Sequence, residues 1–220
     1  MPSTPTRTVR ILLVDDHPLI RSGLAQLIAT EPGLQVCAEA EDAPSALDAA
    51  RTHQPDIAIV DLSLPGASGL ELLRQLRAAQ PQLPVLILSM HDESLWAERT
   101  LRAGARGYIM KEQAPQDILA AIRHVLAGNV WLSPAISARI LGRISGDQAV
   151  SPIERLTDRE IEVYTLIGQG LTMRQIAEAL HVSVKTAEAH REHIKQKLSV
   201  GSANDLVRHA TLWSQALPDA

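Results

Sequence analysis

The chain has no phenylalanine, two tyrosines and three tryptophans, so aromatic residues make up only 2% of its 220 positions. Its cores must therefore be packed from Leu, Ile, Val and Ala. A single cysteine, Cys37, excludes an internal disulfide framework and a cysteine-built zinc site. No run approaches the roughly 18 consecutive apolar residues of a membrane-spanning helix. Met1–Arg10 is polar, holds two prolines and does not read as a secretory signal. A strong excess of charge of either sign is also missing. The net charge is −4, made of −4 over residues 1–130, +1 over 131–155 and −1 over 156–220. With no basic tail, any nucleic-acid binding must rest on local placement of cations. What is present, 45% hydrophobic and 21% charged residues, is the composition of a soluble globular protein. The length suits one large domain or two small ones, and the whole points to a cytoplasmic protein without a membrane partner.

Two patterns divide the chain. Apolar, β-rich runs occur at Val9–Val14, Leu34–Ala38, Ile57–Val60, Val85–Leu88 and Gly107–Met110. Helical patterns at Leu19–Thr30, Pro44–His53, Gly69–Ala79, Ser94–Ala103 and Ala114–Ala127 alternate with them. Five βα units in a row predict an α/β domain, a doubly wound five-stranded parallel sheet with helices on both faces. The strands are continuous apolar runs, as they are when both faces are covered. After Gly128 comes a short helix around Pro134–Ile144, then a linker over Ser145–Arg155. From Leu156 onward the signals are all helical. Thr157–Glu160 is a capping box, Ser183 an N-cap, and helices are predicted at Thr172–Leu180, Val184–Leu198 and Ala203–Trp213. The domains are then 1–130, a short helix and linker over 131–155, and a small all-α domain over 156–220.

The polar residues that matter sit at strand ends. Asp15 and Asp16 follow the first strand and Asp61 the third, Ser89 ends the fourth, and Lys111 follows the fifth. In an open parallel sheet these ends share one edge, where ligands bind. Each residue alone has an ordinary use at a turn or cap; all five at the ends of the right strands do not. Three converging carboxylates repel one another, and a hard divalent cation relieves this. An all-oxygen ligand set with no imidazole favours Mg²⁺. A carboxylate is also a nucleophile toward phosphorus, giving an acyl phosphate. Lys111 would pair with its oxygens and Ser89 would hydrogen-bond to one.

The segments Leu12–Pro18, Asp61–Gly66, Leu88–Met90 and Gly107–Lys111 resemble a response-regulator receiver domain, the chemotaxis-protein type of doubly wound fold. That resemblance implies that Asp61 accepts phosphate from a sensor histidine kinase. It implies that Asp16, Asp61 and the backbone carbonyl of Ser63 ligate Mg²⁺, that Asp15 assists through water, and that Ser89 and Tyr108 form a switch pair whose ring moves inward. Glu112 stands where many receivers have proline after the lysine.

In the C-terminal part, Val184–Leu198 reads as the second helix of a helix-turn-helix, the one that enters the major groove. Ala187, Ile194 and Leu198 form a buried stripe at helical spacing. Lys185, Glu188, Ala189, Glu192 and Gln196 lie opposite, with Lys195 beside them and Arg191 and Lys197 flanking. Residues 183–198 carry +2, a modest footprint for phosphate contacts. Ala189 allows close approach to a base, and Glu188 or Glu192 would accept from cytosine N4 or act against wrong sequences. His190 and His193 lack a third neighbour for a metal site. The segments Leu156–Val163, Ile167–Gly170, Gln175–Ala177, Val182–Thr186 and Lys197–Leu198 resemble the LuxR-type DNA-binding domain, and with the receiver this is the NarL/FixJ arrangement. It implies DNA contacts from Lys185, Thr186, Glu188, Ala189, His190, Glu192 and Lys195, and dimerisation through the last helix at Leu206, His209, Ala210 and Trp213.

The function implied is a two-component response regulator. A homodimer formed on phosphorylation binds promoter double-stranded DNA, with RNA polymerase as a further candidate partner, and the chain is not a turnover enzyme. Two alternatives stand beside it. A phosphatase or phosphotransferase on a similar sheet would want a second carboxylate two residues after Asp61, where Ser63 stands, and there is no P-loop. A phosphorylation-independent binding module would not need the five-residue cluster.

Overall fold

The computed structural model describes residues 7–66, 68–113, 115–144 and 152–216. The chain forms two compact units that divide between Ser145 and Gly146. The predicted linker residues 145–151 lie outside the described residues.

In the first unit, β1 (Val9–Val14), β2 (Leu34–Ala40), β3 (Ile57–Val60), β4 (Val85–Ser89) and β5 (Gly107–Met110) pair in the order β2-β1-β3-β4-β5, all parallel. Every residue of β3 and β4 is buried, which is why these strands carry no polar alternation. The edge strand β2 is only partly covered. Helices α1 (Pro18–Ala29), α2 (Ala43–His53), α3 (Gly69–Ala79), α4 (Glu93–Ala103) and α5 (Pro115–Leu126) follow the strands in turn. Asp42, Ser68 and Asp92 cap α2, α3 and α4, each accepting a backbone N–H from the first turn. Ile11, Leu13, Ile57, Ile59, Leu86, Leu88 and Ile109 from the sheet meet Leu24 and Ile28 of α1 and Ile118, Ile122 and Val125 of α5. This core is aliphatic, as the missing phenylalanine requires.

The chain leaves β1 toward β2, then returns to the far side of β1 to make β3. The crevice between the loops after β1 and β3 is the topological switch point, where ligands bind in such sheets. Beyond α5 the chain closes the β5 edge. Trp131 accepts from the Tyr108 N–H and donates to Arg106, both at 3.0 Å. Helix α6 (Pro134–Ile144) packs on α4, with Ser133 Oγ donating to Glu93 at 2.6 Å and Arg143 paired with Glu98.

The second unit opens with a tight 3-10 turn over Pro152–Arg155, then α7 (Asp158–Gly168), α8 (Met173–Ala179), α9 (Val184–Leu198) and α10 (Ala203–Ala216). The capping box at Thr157 is complete, and Thr172 with Gln175 makes a second one. Helix α10 packs against α7 so closely that a Cβ on Gly168 would lie 2.8 Å from the Ala210 carbonyl oxygen. The rings of Tyr164 and Trp213 meet at 5.4 Å.

Candidate functional site

Strand register delivers the carboxylates. Val14 and Val60 are partners across β1 and β3, so Asp15 and Asp61 leave the sheet side by side. The Asp61 N–H donates to the Val14 carbonyl at 2.9 Å. Ser89 and Met110 are partners across β4 and β5, and the Lys111 N–H donates to the Ser89 carbonyl at 2.9 Å. Lys111 Nζ then donates to Asp61 Oδ2 at 2.8 Å and lies 2.6 Å from Asp15 Oδ2. All three side chains are 5% exposed or less. One ammonium thus serves two buried carboxylates. Burial pushes the Asp61 carboxyl above the usual range, Lys111 offsets only part of this, and Asp15 adds repulsion. Burial alone would lower Lys111, but Asp61 and Asp15 outweigh it and hold the ammonium above the ordinary lysine range.

The second Asp61 oxygen, Oδ1, is buried and has no hydrogen-bond partner. A buried anionic oxygen without a donor is costly unless a ligand completes it. One ligand atom from each of Asp15, Asp16, His17 and Asp61 lies within 4.8 Å of the others. Three carboxylates, with Asp16 Oδ1 and Asp61 Oδ1 both buried and without a hydrogen-bond partner, fit a hard divalent ion.

An imidazole also stands beside this cluster. His17 Nδ1 lies 2.7 Å from Asp16 Oδ1 and 3.3 Å from Asp15 Oδ1. His17 is the N-cap of α1, and its N–H donates to Asp15 Oδ1 at 2.9 Å. That bond turns the ring back onto the cluster.

The remaining site residues gather on His91, to which sequence reasoning had assigned no role. The Ser63 hydroxyl meets His91 Nε2 at 2.9 Å. The His91 N–H donates to Ser89 Oγ at 3.2 Å, and the Tyr108 hydroxyl donates to the His91 carbonyl at 2.6 Å. Burial, helped by the Lys111 charge, lowers His91 below the usual imidazole range, so it is neutral at pH 7. The Tyr108 ring already lies inside, 1% exposed, and burial drives its phenol well above the ordinary range. Two more residues escaped notice. Arg21 donates to the Asp15 carbonyl and pairs with Glu39 at 3.0 Å. A Cβ on Gly69 would lie 1.9 Å from the Asp61 carbonyl oxygen, so only glycine lets α3 start there. No local signal marks either, because both act across sequence distance.

In the second unit, Ala187 and Ile194 of α9 are fully buried and Leu198 is half-buried. Lys185, Thr186, Glu188, Ala189 and Glu192 are exposed, while His190 and Lys195 are half-buried. The cationic face is thinner than its count. Lys195 is paired with Glu192 at 2.9 Å, Lys197 is spent on the buried Glu160 at 2.6 Å, and Arg191 lies 3.6 Å from Glu192. Lys185 has no ion-pair partner among the described residues. Burial and Arg159 lower His190, so it is neutral at pH 7. Among the described residues, His190 and His193 join no metal-ligating group.

The assignment of Leu206 and Ala210 to a dimer face also needs correction. Both are fully buried in their own unit, where α10 packs on α7. His209 is exposed but bonded to the Tyr164 hydroxyl at 2.6 Å, and Trp213 packs against that ring at a tilt of 53°. Among the described residues, the large apolar side chains that α10 exposes are Val207 and Leu212.

The family described as "Response regulator receiver domain" matches residues 11–123, and that described as "Bacterial regulatory proteins, luxR family" matches residues 154–210. The oxygen regulatory protein NreC of Staphylococcus carnosus is 35% identical over 209 residues, 92% of this chain and 96% of its own. The crystal structure of a LuxR-family two-component response regulator from an Aurantimonas species is 41% identical, with a TM-score of 0.59 over 63% of this chain and 99% of that one. The RcsB response regulator of Salmonella typhimurium is 25% identical, with a TM-score of 0.58 over 94% of this chain and 99% of that one.

Proposed function

This chain belongs to the NarL/FixJ-type response regulators, a receiver joined to a LuxR-type DNA-binding domain that regulates transcription, and we propose that phosphorylation of Asp61 is what controls it. In this reading residues 1–130 are the receiver, 131–155 a short helix and linker, and 156–220 the DNA-binding domain, working in the cytoplasm. The carrying observation is Asp61 itself. One oxygen is held by Lys111 and the other is buried and unpartnered.

The free Oδ1 is the nucleophile. It forms a P–O bond to the phosphoryl group of a kinase phosphohistidine while the P–N bond breaks. The electron pair of that bond leaves with the kinase imidazole, which takes up a proton. Asp16, Asp61 and the Ser63 carbonyl would hold Mg²⁺, with Asp15 acting through water. When bound, it supplies charge to the phosphoryl oxygens. Lys111 moves from carboxylate to phosphoryl oxygen without leaving the site. Ser89, freed from the His91 N–H, donates its hydroxyl to another. Because Tyr108 already lies inside and holds the His91 carbonyl, phosphorylation locks this loop in place. Moving the population from about 1% to 99% active takes roughly 5.5 kcal/mol, shared between these contacts and a homodimer. Its DNA-binding side is the exposed face of α9, led by Lys185 and completed by Thr186, Glu188, Ala189, His190, Glu192 and Lys195. Its second contact is the outer side of α10. Promoter DNA and a sensor histidine kinase are the partners, and RNA polymerase follows from transcription control.

Intact mass after incubation with acetyl phosphate tests this. The expected result is one phosphoryl group gained by wild type only with Mg²⁺, and none by Asp61→Asn. A gain by folded Asp61→Asn overturns the assignment.

A further inference from the structure

We propose that Glu192 is a specificity-determining residue of α9: it keeps Lys195 from the phosphates of DNA in general and releases it where a base edge takes the carboxylate instead. This rests on the reading of α9 as the DNA-binding side.

Three observations carry it. First, Glu192 stands between two cations and turns one oxygen to each. Lys195 Nζ donates to Oε2 at 2.9 Å, and Arg191 Nε lies 3.6 Å from Oε1. The Lys195 hydrogen bond, with the charges of Lys195 and Arg191, holds the carboxyl below the usual glutamate range, so it is charged at pH 7. Second, the lysine is the more confined partner. Its side chain is 19% exposed, against 50% for Glu192. A phosphate arriving at this turn meets the carboxylate along with the ammonium, and the pair carries no net charge. Third, the other carboxylate of this face holds no cation. Glu188 lies one turn before Glu192 on the same side, is exposed and has no ion-pair partner among the described residues. The two glutamates carry the same charge and differ in whether they occupy a lysine.

Sequence-independent binding comes from cations that displace counterions from phosphates, and base contacts add the discrimination. A carboxylate that occupies a cation weakens the first and spares the second, which widens the difference between right and wrong sequences. In the major groove cytosine offers an N4 amino donor that a carboxylate accepts from. Glu192 turned to that donor leaves Lys195 to a phosphate, so one base contact brings one backbone contact with it.

Fluorescence anisotropy of the full-length protein, treated with acetyl phosphate and Mg²⁺, tests this on two labelled duplexes. One has a mixed sequence, and the other is enriched from a random pool by the wild type. Wild type, Glu192→Gln, Glu188→Gln and Lys185→Ala are compared between about 50 and 200 mM salt, each checked for folding by circular dichroism. On the mixed duplex Glu192→Gln is expected to steepen the slope of log affinity against log salt by about 0.9 per bound subunit, a gain of about eightfold per subunit at about 0.1 M salt. Glu188→Gln is expected to leave that slope unchanged, because it releases no cation. On the enriched duplex Glu192→Gln is expected to gain nothing, so the ratio of the two affinities falls by the same factor. An unchanged slope in Glu192→Gln, the same steepening in Glu188→Gln, or equal gains on both duplexes overturns the inference and leaves α9 as the DNA-binding side. No binding by wild type, or a slope unchanged in Lys185→Ala, overturns that reading and the inference with it.

Discussion

Replacing Lys111 by methionine keeps the length of the side chain and removes its charge. Asp15 and Asp61 sit 2.6 and 2.8 Å from that ammonium and are nearly sealed from water. Removing one partner of a buried pair costs about 3–5 kcal/mol, because the remaining charge stays buried. Here two carboxylates lose their cation, so a loss of about 3 kcal/mol from a total of roughly 5–15 kcal/mol is expected. That lowers Tm by about 10 °C. Lys111 is raised in the fold, so its contribution is fully present below the ordinary lysine value of 10.5 and fades as pH rises through the higher folded value. At neutral pH the whole effect is therefore visible. Urea unfolding in a Trp213→Phe background isolates Trp96 and Trp131, both in the first unit. Two companion results follow from the same electrostatics. Mg²⁺ stabilises the variant more than it stabilises wild type, since the ion replaces the missing cation. Asp61→Asn added to the variant recovers part of the loss. A variant within about 0.5 kcal/mol of wild type without divalent ion refutes the picture of one ammonium holding two buried charges.

Other changes separate roles that look alike in sequence. Lys185→Ala weakens DNA binding and lowers the slope of log affinity against log salt by about one, whereas Lys197→Ala chiefly lowers the stability of the second unit, because it strips the buried Glu160. Gel shifts at several salt concentrations and thermal melts distinguish the two. Glu162 is raised by burial despite Arg159, so its charged form weakens the fold. Glu162→Gln is then expected to stabilise the second unit at pH 7 and to lose that advantage as pH falls toward 4.5, the ordinary glutamate value; equal gains at both pH values contradict this. Gly69→Ala forces Asp61 and α3 apart and costs more than about 2 kcal/mol, with slower uptake of phosphate from acetyl phosphate. Leu206→Ala opens a cavity between α7 and α10 and costs about 2–5 kcal/mol, measurable by calorimetry on the unphosphorylated protein.

Much of the fold was legible locally. Ile57–Val60 and Gly107–Met110 fall where their hydrophobic pattern begins and ends, because a strand covered on both faces must be apolar throughout, and Gly69–Ala79 follows its helical period. Thr157 and Glu160 announce α7, because a capping box closes within one turn. The five strand-end residues were legible too, since parallel strands share a carboxyl edge whatever packs around them. What contacts decide was not legible. Nothing near His91 shows that Ser63, Ser89 and Tyr108 will meet on it. Nothing near Gly69 shows that the Asp61 backbone will pass so close. Helix α10 has apolar residues on two sides, and its period alone does not say which side faces α7. Packing buried Leu206 and Ala210 and left Val207 and Leu212 outside. The cations of α9 show the same division. Their number is written in the sequence, but only the tertiary structure assigns Lys197 to Glu160 and leaves Lys185 to solvent, because an ion pair depends on which element lies opposite.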